Sequence, residues 1–565
     1  MQFDIKYRGR ILILNRIGKN VRSGGKVLVD QLVKHGVDRV FCVPGESYLE
    51  ILDSLYDVKD KIAVNNARHE AGASNMAEAY GKLTGKPGVA LVTRGPGACH
   101  ASIGVHIAFQ DSTPLILIVG QVSQAMIDRE AFQEIDYQAM FGSVAKWSVQ
   151  IDRADRIPEY ISRAFNVANS GRKGPVVLAL PEDILEQMID VEDSSVAVYH
   201  QAAPEINTAT TLTELLANAS KPLILLGGSG WDEGSSGEIL SFAMKNFIPV
   251  STSFRRQDLI DNNQPVFCGA FGTSVPPTLL KRIKESDLLI VLGARLGEMT
   301  TQGYETINIP TPKQNLVHVH IDPNEIGSVY SPTLGVVSSM KSFTTTLCNL
   351  NVEIGKNWKV WCSILHSEFL LDSVPPDYQG NLDLGAVCTI LNKELPLNAI
   401  VTLDAGNHTG WPQRFLMYSP SRRQVGSTCG AMGYSIPAAV ASSLIFPNRV
   451  VLGLVGDGGF MMSGMELMTA IQYSATPIII IFNNSSYGTI RMHQEREHPG
   501  RVIATDLVNP DFKKMAESMG VYSEIIKNTE EFLPAFRRCL KQKTACLLEL
   551  KTDIYQLSSR FTLNS

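Results

Sequence analysis

Short runs of β-branched and other apolar residues alternate with helix-like stretches along nearly the whole chain. Such alternation predicts parallel sheets covered by helices on both faces, because two parallel strands need a crossover between them and that crossover is usually a helix. Three blocks with this pattern can be separated within the 565 residues. The length itself favours three or four domains over a single hydrophobic core. We therefore expect an α/β protein built from three doubly wound parallel-sheet domains.

Two polar stretches separate the blocks. Residues 193–210 and a segment with Pro375, Pro376 and Gly380 are predicted linkers. The predicted domains are residues 23–190, 205–350 and 375–558, preceded by an N-terminal extension of residues 1–22. The expected strands lie near Arg39–Val43, Gly88–Thr93, Pro114–Gly120, Pro175–Ala179, Pro222–Leu226, Asp287–Leu292, Leu316–Ile321, Val450–Leu454 and Pro477–Phe482.

Charge, cysteine content and apolar runs exclude several kinds of protein. The formal net charge of −5, from 56 acidic and 51 basic side chains, offers no basic surface for nucleic acid. The nine cysteines are scattered without zinc-type spacing, which favours a reducing cytoplasm. Since a membrane helix needs about 20 apolar residues, the shorter runs here predict buried strands and no membrane contact.

The third block contains the most specific motif. The predicted strand Val450–Leu454 is followed by Gly456-Asp457-Gly458-Gly459, a helical stretch, the strand Pro477–Phe482 and then Asn483-Asn484. A right-handed crossover places the carboxyl ends of both strands side by side, so Asp457 and Asn484 should meet at the ligand-binding edge of the sheet. Carboxylate, amide and carbonyl oxygens suit the octahedral shell of Mg²⁺. The glycines admit a phosphate, and a helix beginning near Phe460 would direct its positive end toward it.

Taken alone, Gly-Asp-Gly is a weak signal that is better explained by a turn between a strand and a helix. Followed by a strand and Asn-Asn, it resembles the thiamine diphosphate fingerprint, and the chain is identified as a member of that enzyme family. The resemblance implies that Asp457, Asn484 and the main-chain carbonyl of Ser486 hold Mg²⁺. It also implies that the cofactor contacts the neighbouring residues Gly456, Gly458, Gly459, Tyr487 and Gly488.

Two further segments resemble the parts of the family that make the cofactor reactive. Residues 68–73 resemble the segment whose glutamate hydrogen-bonds to the pyrimidine ring, and Glu70 is the candidate for that glutamate. The alternative interpretation of Glu70 is an exposed charge that the helix dipole favours at a helix start. Residues 430–434, with Gly430 and Met432, resemble the segment whose apolar side chain holds the cofactor bent, with core packing as the alternative. In the family these parts come from two chains, which implies a homodimer or homotetramer with active sites at the interface.

From Gly24 onward the resemblance is to acetolactate synthase-like proteins. Residues 109–112 and 131–134 resemble substrate-facing loops, in which Gln110 and Gln133 would bind a 2-oxo acid. Phe132 would form an apolar wall, and Gly45 would leave room above the thiazolium ring. A plain loop also explains each of these residues.

The resemblance favours a carboligase. Simple 2-oxo acid decarboxylases carry a His-His pair in the first block and an acid shortly after Gly-Asp-Gly, whereas this chain has Phe109-Gln110-Asp111 and Phe460-Met461-Met462-Ser463. Without those proton donors the activated two-carbon unit should attack a second carbonyl and yield acetolactate or a related 2-aceto-2-hydroxy acid, as in branched-chain amino acid biosynthesis. The alternatives are a decarboxylase that releases an aldehyde and a catalytically silent homologue that binds the cofactor.

Several positions depart from the biosynthetic pattern and leave the acceptor substrate open. His493 stands where those synthases place a tryptophan, and Glu182 replaces a common lysine. Residues 293–298 differ from the Arg-Phe-Asp-Asp-Arg pattern of flavin-containing relatives, although Arg172 and Asp322 match flavin-associated positions. Bound FAD therefore stays undecided at this point, and a regulatory subunit is possible but not indicated.

Overall fold

The computed structural model describes residues 21–378 and 380–562, and the predicted extension of residues 1–22 lies almost wholly outside them. The described chain contains three six-stranded sheets, each with all its strands parallel and with helices around it. This confirms the predicted α/β class with three doubly wound sheets. Within the described residues, no helix is both long enough and apolar enough to cross a membrane.

The first domain is built on a sheet of order β3-β2-β4-β5-β7-β6, and its short strands β1 and β8 pair antiparallel with each other. The strand β5 is buried along its full length, as expected where helices cover both faces. Its strands are β1 (Val21–Ser23), β2 (Arg39–Cys42), β3 (Ala63–Asn66), β4 (Gly88–Val92), β5 (Leu115–Gln121), β6 (Trp147–Gln150), β7 (Pro175–Pro181) and β8 (Met188–Asp190). Its helices are α1 (Gly24–Lys34), α2 (Leu49–Tyr56), α3 (Glu70–Thr84), α4 (Pro96–Asp111), α5 (Tyr137–Phe141), α6 (Ile157–Asn169) and α7 (Glu182–Glu186).

The central domain has the sheet order β11-β10-β9-β12-β13-β14. Its strands are β9 (Pro222–Leu226), β10 (Val250–Thr252), β11 (Phe267–Ala270), β12 (Leu288–Leu292), β13 (Asn315–His320) and β14 (Leu334–Val337). Its helices are α8 (Thr208–Ala217), α9 (Glu233–Asn246), α10 (Pro277–Glu285), α11 (Glu298–Thr301), α12 (Met340–Cys348) and α13 (Trp358–Asp372). The helix α13 begins after residue 350 and still packs on this sheet, with the Phe369 ring 4.9 Å from that of Phe267.

The third domain has the sheet order β16-β15-β17-β18-β20-β19. Its strands are β15 (Ile400–Leu403), β16 (Arg423–Gly426), β17 (Val451–Gly456), β18 (Ile478–Asn483), β19 (Tyr522–Ile526) and β20 (Cys546–Lys551). Its helices are α14 (Leu384–Glu394), α15 (Gly410–Phe415), α16 (Ser435–Ile445), α17 (Asp457–Ser463), α18 (Leu467–Gln472), α19 (Gly488–Glu497), α20 (Phe512–Ser518) and α21 (Thr529–Cys539). Because β15, β17 and β18 are adjacent, their carboxyl ends form one edge.

The first and third domains pack directly against each other through α3 and α16. Both helices are rich in alanine, serine and other small residues on their buried faces, which allows their backbones to approach. Across this contact the Tyr434 hydroxyl donates a hydrogen bond to the fully buried carboxylate of Glu78. The two domains that carry the predicted cofactor residues are therefore joined rigidly within one chain.

Candidate active site

The carboxyl edge of the third sheet carries the residues predicted for the metal and the diphosphate. The strand β17 ends at Gly456 and α17 begins directly at Asp457, three residues before the helix start that the sequence suggested near Phe460. The pairing of β17 with β18 sets Gly456 opposite Phe482. Asp457 and Asn484 consequently follow the tips of two adjacent parallel strands.

Asp457 is the buried acid at this edge. One carboxylate oxygen accepts a hydrogen bond from Gly458 N at 3.0 Å and the other from Asn509 Nδ2 at 2.7 Å. Burial raises the pKa of Asp457, and these hydrogen bonds oppose the shift. Asn509 also donates to Asn483 Oδ1 at 3.1 Å and so links the two strand ends. Together with the amide oxygen of Asn484, this carboxylate would offer a bound Mg²⁺ the hard oxygen ligands that the ion requires.

The turn after β18 packs closely around the predicted ligands. Asn484 Oδ1 accepts a hydrogen bond from Ser486 N at 3.1 Å. The Ser486 carbonyl accepts one from Gly488 N at 2.8 Å and retains a second lone pair for another partner. A Cβ at Gly488 would lie 2.8 Å from Asn484 Nδ2, and a Cβ at Gly458 would lie 2.6 Å from the Tyr487 ring. A side chain at either glycine would therefore displace Asn484 or Tyr487 from the position seen here.

Asp404, to which no motif pointed, organises the segment that contains Met432. The residue is buried just beyond β15, and its carboxylate accepts hydrogen bonds from Gly433 N and Ser435 N, both at 3.0 Å. Burial raises the pKa of Asp404 to about 6. Gly433 has a φ of 79°, which favours glycine. The half-buried Met432 is thus presented by a turn with a fixed backbone.

His408 is a second residue of this edge that the motifs did not reveal. It is half-buried beyond β15 with its ring against Gly456, where a Cβ would lie 3.2 Å from His408 Nδ1. Burial lowers the pKa of His408 to about 3, so the ring is neutral. Its Nε2 is buried without a hydrogen-bond partner in the part of the chain that the structure describes. Since buried polar atoms are normally paired, this atom fits a site that a polar ligand such as a diphosphate completes.

Glu70 lies at the carboxyl edge of the first sheet, at the start of α3. Its side chain is 13% exposed, and Oε2 lies 2.9 Å from His100 Nδ1. His69 caps the same helix by accepting a hydrogen bond from Ala71 N at 3.1 Å, and its ring lies 4.4 Å from that of His100. Glu70 is thus held by a neighbouring imidazole and is not a freely solvated charge.

A buried carboxylate of the third domain fixes the start of α3. Glu466 accepts hydrogen bonds from the backbone N–H groups of Arg68 and His69, each at 3.1 Å. Burial raises the pKa of Glu466, and the bonds it accepts oppose the shift. A Cβ on Gly72 would come within 2.1 Å of Glu466 Oε1. Because Glu466 closely follows α17, the chain connects its diphosphate edge to the helix that carries Glu70.

Two of the predicted substrate-facing residues lie beyond the carboxyl ends of strands in the first sheet, as Glu70 does: Gly45 follows β2 and Gln133 follows β5. A Cβ at Gly45 would lie 2.5 Å from Thr93, so the glycine is needed for this contact as well as for any room above a ligand. Gln133 Oε1 accepts a hydrogen bond from Arg94 Nε at 3.3 Å. Phe132, next in the chain, is 74% exposed in the single chain.

Gln110 lies elsewhere, at the end of α4 beside a cavity of about 800 Å³ between the three domains. The backbone carbonyl of Gln110 accepts a hydrogen bond from Arg295 at 3.3 Å. Arg295 and Arg172 both pair with Glu325 at 3.1 Å. The structure therefore separates Gln110 from Gln133 and places it with the residues that the sequence associated with a flavin.

Glu182 and His493, the two residues that depart from the pattern of the biosynthetic synthases, have different surroundings. Glu182 pairs with Arg94 at 3.1 Å, at the same edge as Gln133. His493 is exposed on α19, where Arg496 lies 2.8 Å from its Nδ1. Glu182 thus belongs to the substrate-facing group, whereas His493 lies on a helix without buried residues.

Comparison with known proteins gives matches along most of the chain. The N-terminal TPP binding domain, the central domain and the C-terminal TPP binding domain of thiamine pyrophosphate enzymes match residues 22–140, 209–347 and 404–550. The acetolactate synthase large subunits of Parasynechococcus marenigrum and Lactococcus lactis subsp. lactis are each 30% identical; the alignments cover 94% and 88% of this chain and 87% of each relative. A probable acetolactate synthase large subunit of Methanocaldococcus jannaschii is 29% identical over 94% of this chain and 92% of that protein. The chain belongs to the thiamine pyrophosphate enzymes and, within them, to the acetolactate synthase-like group.

Proposed function

We propose that this protein is a thiamine diphosphate- and Mg²⁺-dependent carboligase that decarboxylates pyruvate and joins the remaining two-carbon unit to a second 2-oxo acid. The observation that carries the proposal is the position of Asp457 and Asn484 at adjacent strand tips, beside the turn that presents Met432. Asp457, Asn484 and the Ser486 carbonyl would hold Mg²⁺. When bound, thiamine diphosphate supplies a thiazolium carbon that accepts the substrate and stores the electron pair left behind by CO₂.

The protein's own residues prepare that chemistry. Glu70 would share a proton with a bound pyrimidine ring through Oε1, while His100 holds Oε2 in place. The Met432 side chain would form the apolar support against which the cofactor bends. Gln133 donates hydrogen bonds to the 2-oxo acid, and Phe132 excludes water on one side.

Carboligation is favoured over aldehyde release by the side chains that follow the metal ligand. Met461 and Met462 stand after Asp457 and are about half exposed in the single chain. Neither carries a proton donor, so protonation of the two-carbon unit, the step that leads to a free aldehyde, should be slow. A second 2-oxo acid then has time to react.

A bound FAD is a second proposal, carried by the cavity between the three domains. Gly228, Ser229 and Gly230 line one wall, where a dinucleotide backbone could approach closely. Arg255 Nη1 is buried at this cavity without a partner among the described residues. The visible absorption of purified protein tests the proposal when it is recorded before incubation with FAD and again after incubation and removal of unbound FAD by gel filtration. A protein that shows no flavin bands in either spectrum does not bind FAD.

The enzyme activity is tested by incubating the pure protein with pyruvate, thiamine diphosphate and Mg²⁺ and identifying the products by mass spectrometry. We expect acetolactate, and Glu70→Gln should lower the rate by about two orders of magnitude or more. Glu159→Gln is the matched control, since Glu159 is an exposed carboxylate paired with Arg156. Accumulation of an aldehyde would instead assign the decarboxylase. Cofactor binding without turnover of any 2-oxo acid would assign the silent homologue.

A further inference from the structure

One guanidinium gathers side chains from three loops at the carboxyl edge of the first sheet. Arg94 donates from Nη2 to Glu46 Oε1 at 2.7 Å, from Nη1 to Glu182 Oε2 at 3.1 Å and from Nε to Gln133 Oε1 at 3.3 Å. Glu46 follows β2, Glu182 follows β7, and Gln133 lies beyond β5. Arg94 thus ties together the loops that surround the candidate substrate position.

Arg94 is not available as a cation for the substrate. Its side chain is only 9% exposed, and two carboxylates pair with it, so its charge is more than balanced. The two acids differ in their surroundings, because Glu46 is 70% exposed and Glu182 only 34%. Glu182 should be the more strongly bound partner of Arg94, because an ion pair with the exposed Glu46 adds little to stability.

The bond from Arg94 decides which way the Gln133 amide faces. A guanidinium only donates, so the atom directed toward it must be the amide oxygen. The backbone of Gln133 is also fixed, since it has a φ of 67° and its carbonyl oxygen would lie 2.6 Å from a Cβ on Gly95. The amide N–H₂ group is therefore directed away from Arg94, and its two donors remain for a ligand.

We propose that Arg94 is a positioning residue that turns the Gln133 amide so that its N–H₂ group binds the carboxylate of the 2-oxo acid. This inference rests on the proposed function, in which Gln133 faces the substrate. Recognition by a neutral amide has a chemical advantage here, because the substrate carboxylate must leave as CO₂. A direct ion pair would stabilise that carboxylate in the ground state and so raise the barrier to its loss.

The charge at position 182 belongs to the same arrangement. A lysine is common at this position in the family, and Glu182 replaces it here. Arg94 and Glu182 pair with each other here, whereas a lysine at position 182 would present a cation in place of this carboxylate. The neutral amide of Gln133 is the donor that the inference assigns to the anionic substrate.

The test is a double-mutant cycle on Arg94 and Gln133, read out as the kcat and KM for pyruvate of the holoenzyme. Gln133→Leu should raise KM about tenfold or more with kcat changed less than about threefold, because a hydrogen bond to a charged group is lost. Arg94→Gln should raise KM similarly in the parent but by less than about twofold in the Gln133→Leu background. Arg153→Gln is the control, since Arg153 pairs with Asp155 on the surface.

Gln133→Glu separates positioning from folding if Arg94→Gln fails to fold. The new carboxylate keeps the contact with Arg94, so the protein should still unfold cooperatively, although a third acid around one guanidinium lowers the melting temperature by a few degrees. This carboxylate has no donor and repels the substrate, so KM should rise more than in Gln133→Leu. An unchanged KM in this variant, or an Arg94→Gln effect that persists in full without Gln133, would overturn the inference. If the parent enzyme turns over no 2-oxo acid, the proposed function fails instead.

Discussion

Asp404 and His408 lie four residues apart beyond β15, and burial shifts their pKa values in opposite directions. The pKa of Asp404 is raised from 3.8 to about 6, so the folded protein takes up this proton more readily than the unfolded chain. The contribution of Asp404 to the free energy of unfolding is therefore fully present below its pKa in the unfolded chain, 3.8, and is lost as the pH rises through about 6. The pKa of His408 is lowered from 6.5 to about 3, so its contribution is present above 6.5 and is lost as the pH falls.

Melting temperatures of the cofactor-free protein between about pH 4 and 7 should reveal both effects. The melting temperature of His408→Gln minus that of the parent should become more positive as the pH falls below 6.5. The melting temperature of Asp404→Asn minus that of the parent should become more positive as the pH rises toward 6. Converted to free energy of unfolding, each difference should change by at most about 1.4 kcal/mol per pH unit. Parallel profiles for the parent and either variant would contradict the corresponding pKa shift.

The site residues that the sequence could predict belong to short motifs with fixed spacing. The strand, helix, strand pattern predicted that Asp457 and Asn484 lie at the same edge of the sheet, and the structure places both at that edge. Asp404 and His408 were missed because they follow a four-residue strand without a recognised motif. Their roles come from burial and from backbone groups of a distant turn, which a single sequence does not display. An acid and a glycine directly after a strand, as in Asp404-Ala405-Gly406, is the signal that could have been read.

At the scale of the elements, the strands buried on both faces were the predictable ones. Long apolar runs mark β5, β7, β9, β12 and β18, and each was expected within one or two residues of its observed bounds. The edge strands β3, β6, β11, β14, β16 and β19 were not predicted. Four of these strands, β3, β6, β14 and β19, are only partly buried, so their residues lack a continuous apolar run. The fully buried β11 and the interior strand β15 were not predicted either, because each has only four residues. The three-residue strands β1, β8 and β10 are too short to show any periodicity.

The start of α3 is an element whose position depends on one glycine. Gly72→Ala places a Cβ 2.1 Å from Glu466 Oε1, so the buried carboxylate must give up its hydrogen bonds to the backbone of Arg68 and His69. We expect a melting temperature lower by several degrees, because losing such bonds costs about 1–3 kcal/mol. Cofactor affinity should fall as well, since the same helix begins with Glu70.

Gly237→Ala is the matched control for this substitution. Gly237 also lies within a helix, α9, but a Cβ there meets nothing within 4 Å. Alanine is favoured over glycine in a helix interior by roughly 0.5–1 kcal/mol, so this variant should melt at the same temperature as the parent or slightly above. If both variants melt alike, the contact between Gly72 and Glu466 does not determine the position of the helix.

At the scale of the whole molecule, apolar side chains are exposed around both halves of the candidate site. Phe132 lies beside the substrate-facing loop of the first domain, and Met461, Met462 and Met465 follow Asp457 in the third. Exposed apolar side chains near a site commonly mark a surface that another chain covers. We therefore expect a homodimer in which Glu70 of one chain serves the diphosphate site of the other.

Mixing two inactive variants tests this arrangement. Glu70→Gln removes the acid and leaves the metal site intact, whereas Asp457→Ala removes the oxygen ligand proposed for the metal and leaves Glu70 intact. In a two-fold dimer with shared sites, a hybrid of the two variants contains one site with both original residues and one site with neither. Random exchange in an equal mixture makes half of the dimers hybrid, so activity should recover to about a quarter of that of the parent. If both residues of a site came from the same chain, every chain in the mixture would stay defective and no activity would return, however completely the subunits exchange. Subunit exchange itself is checked with a tagged parent chain, which must carry untagged chain with it under the same conditions.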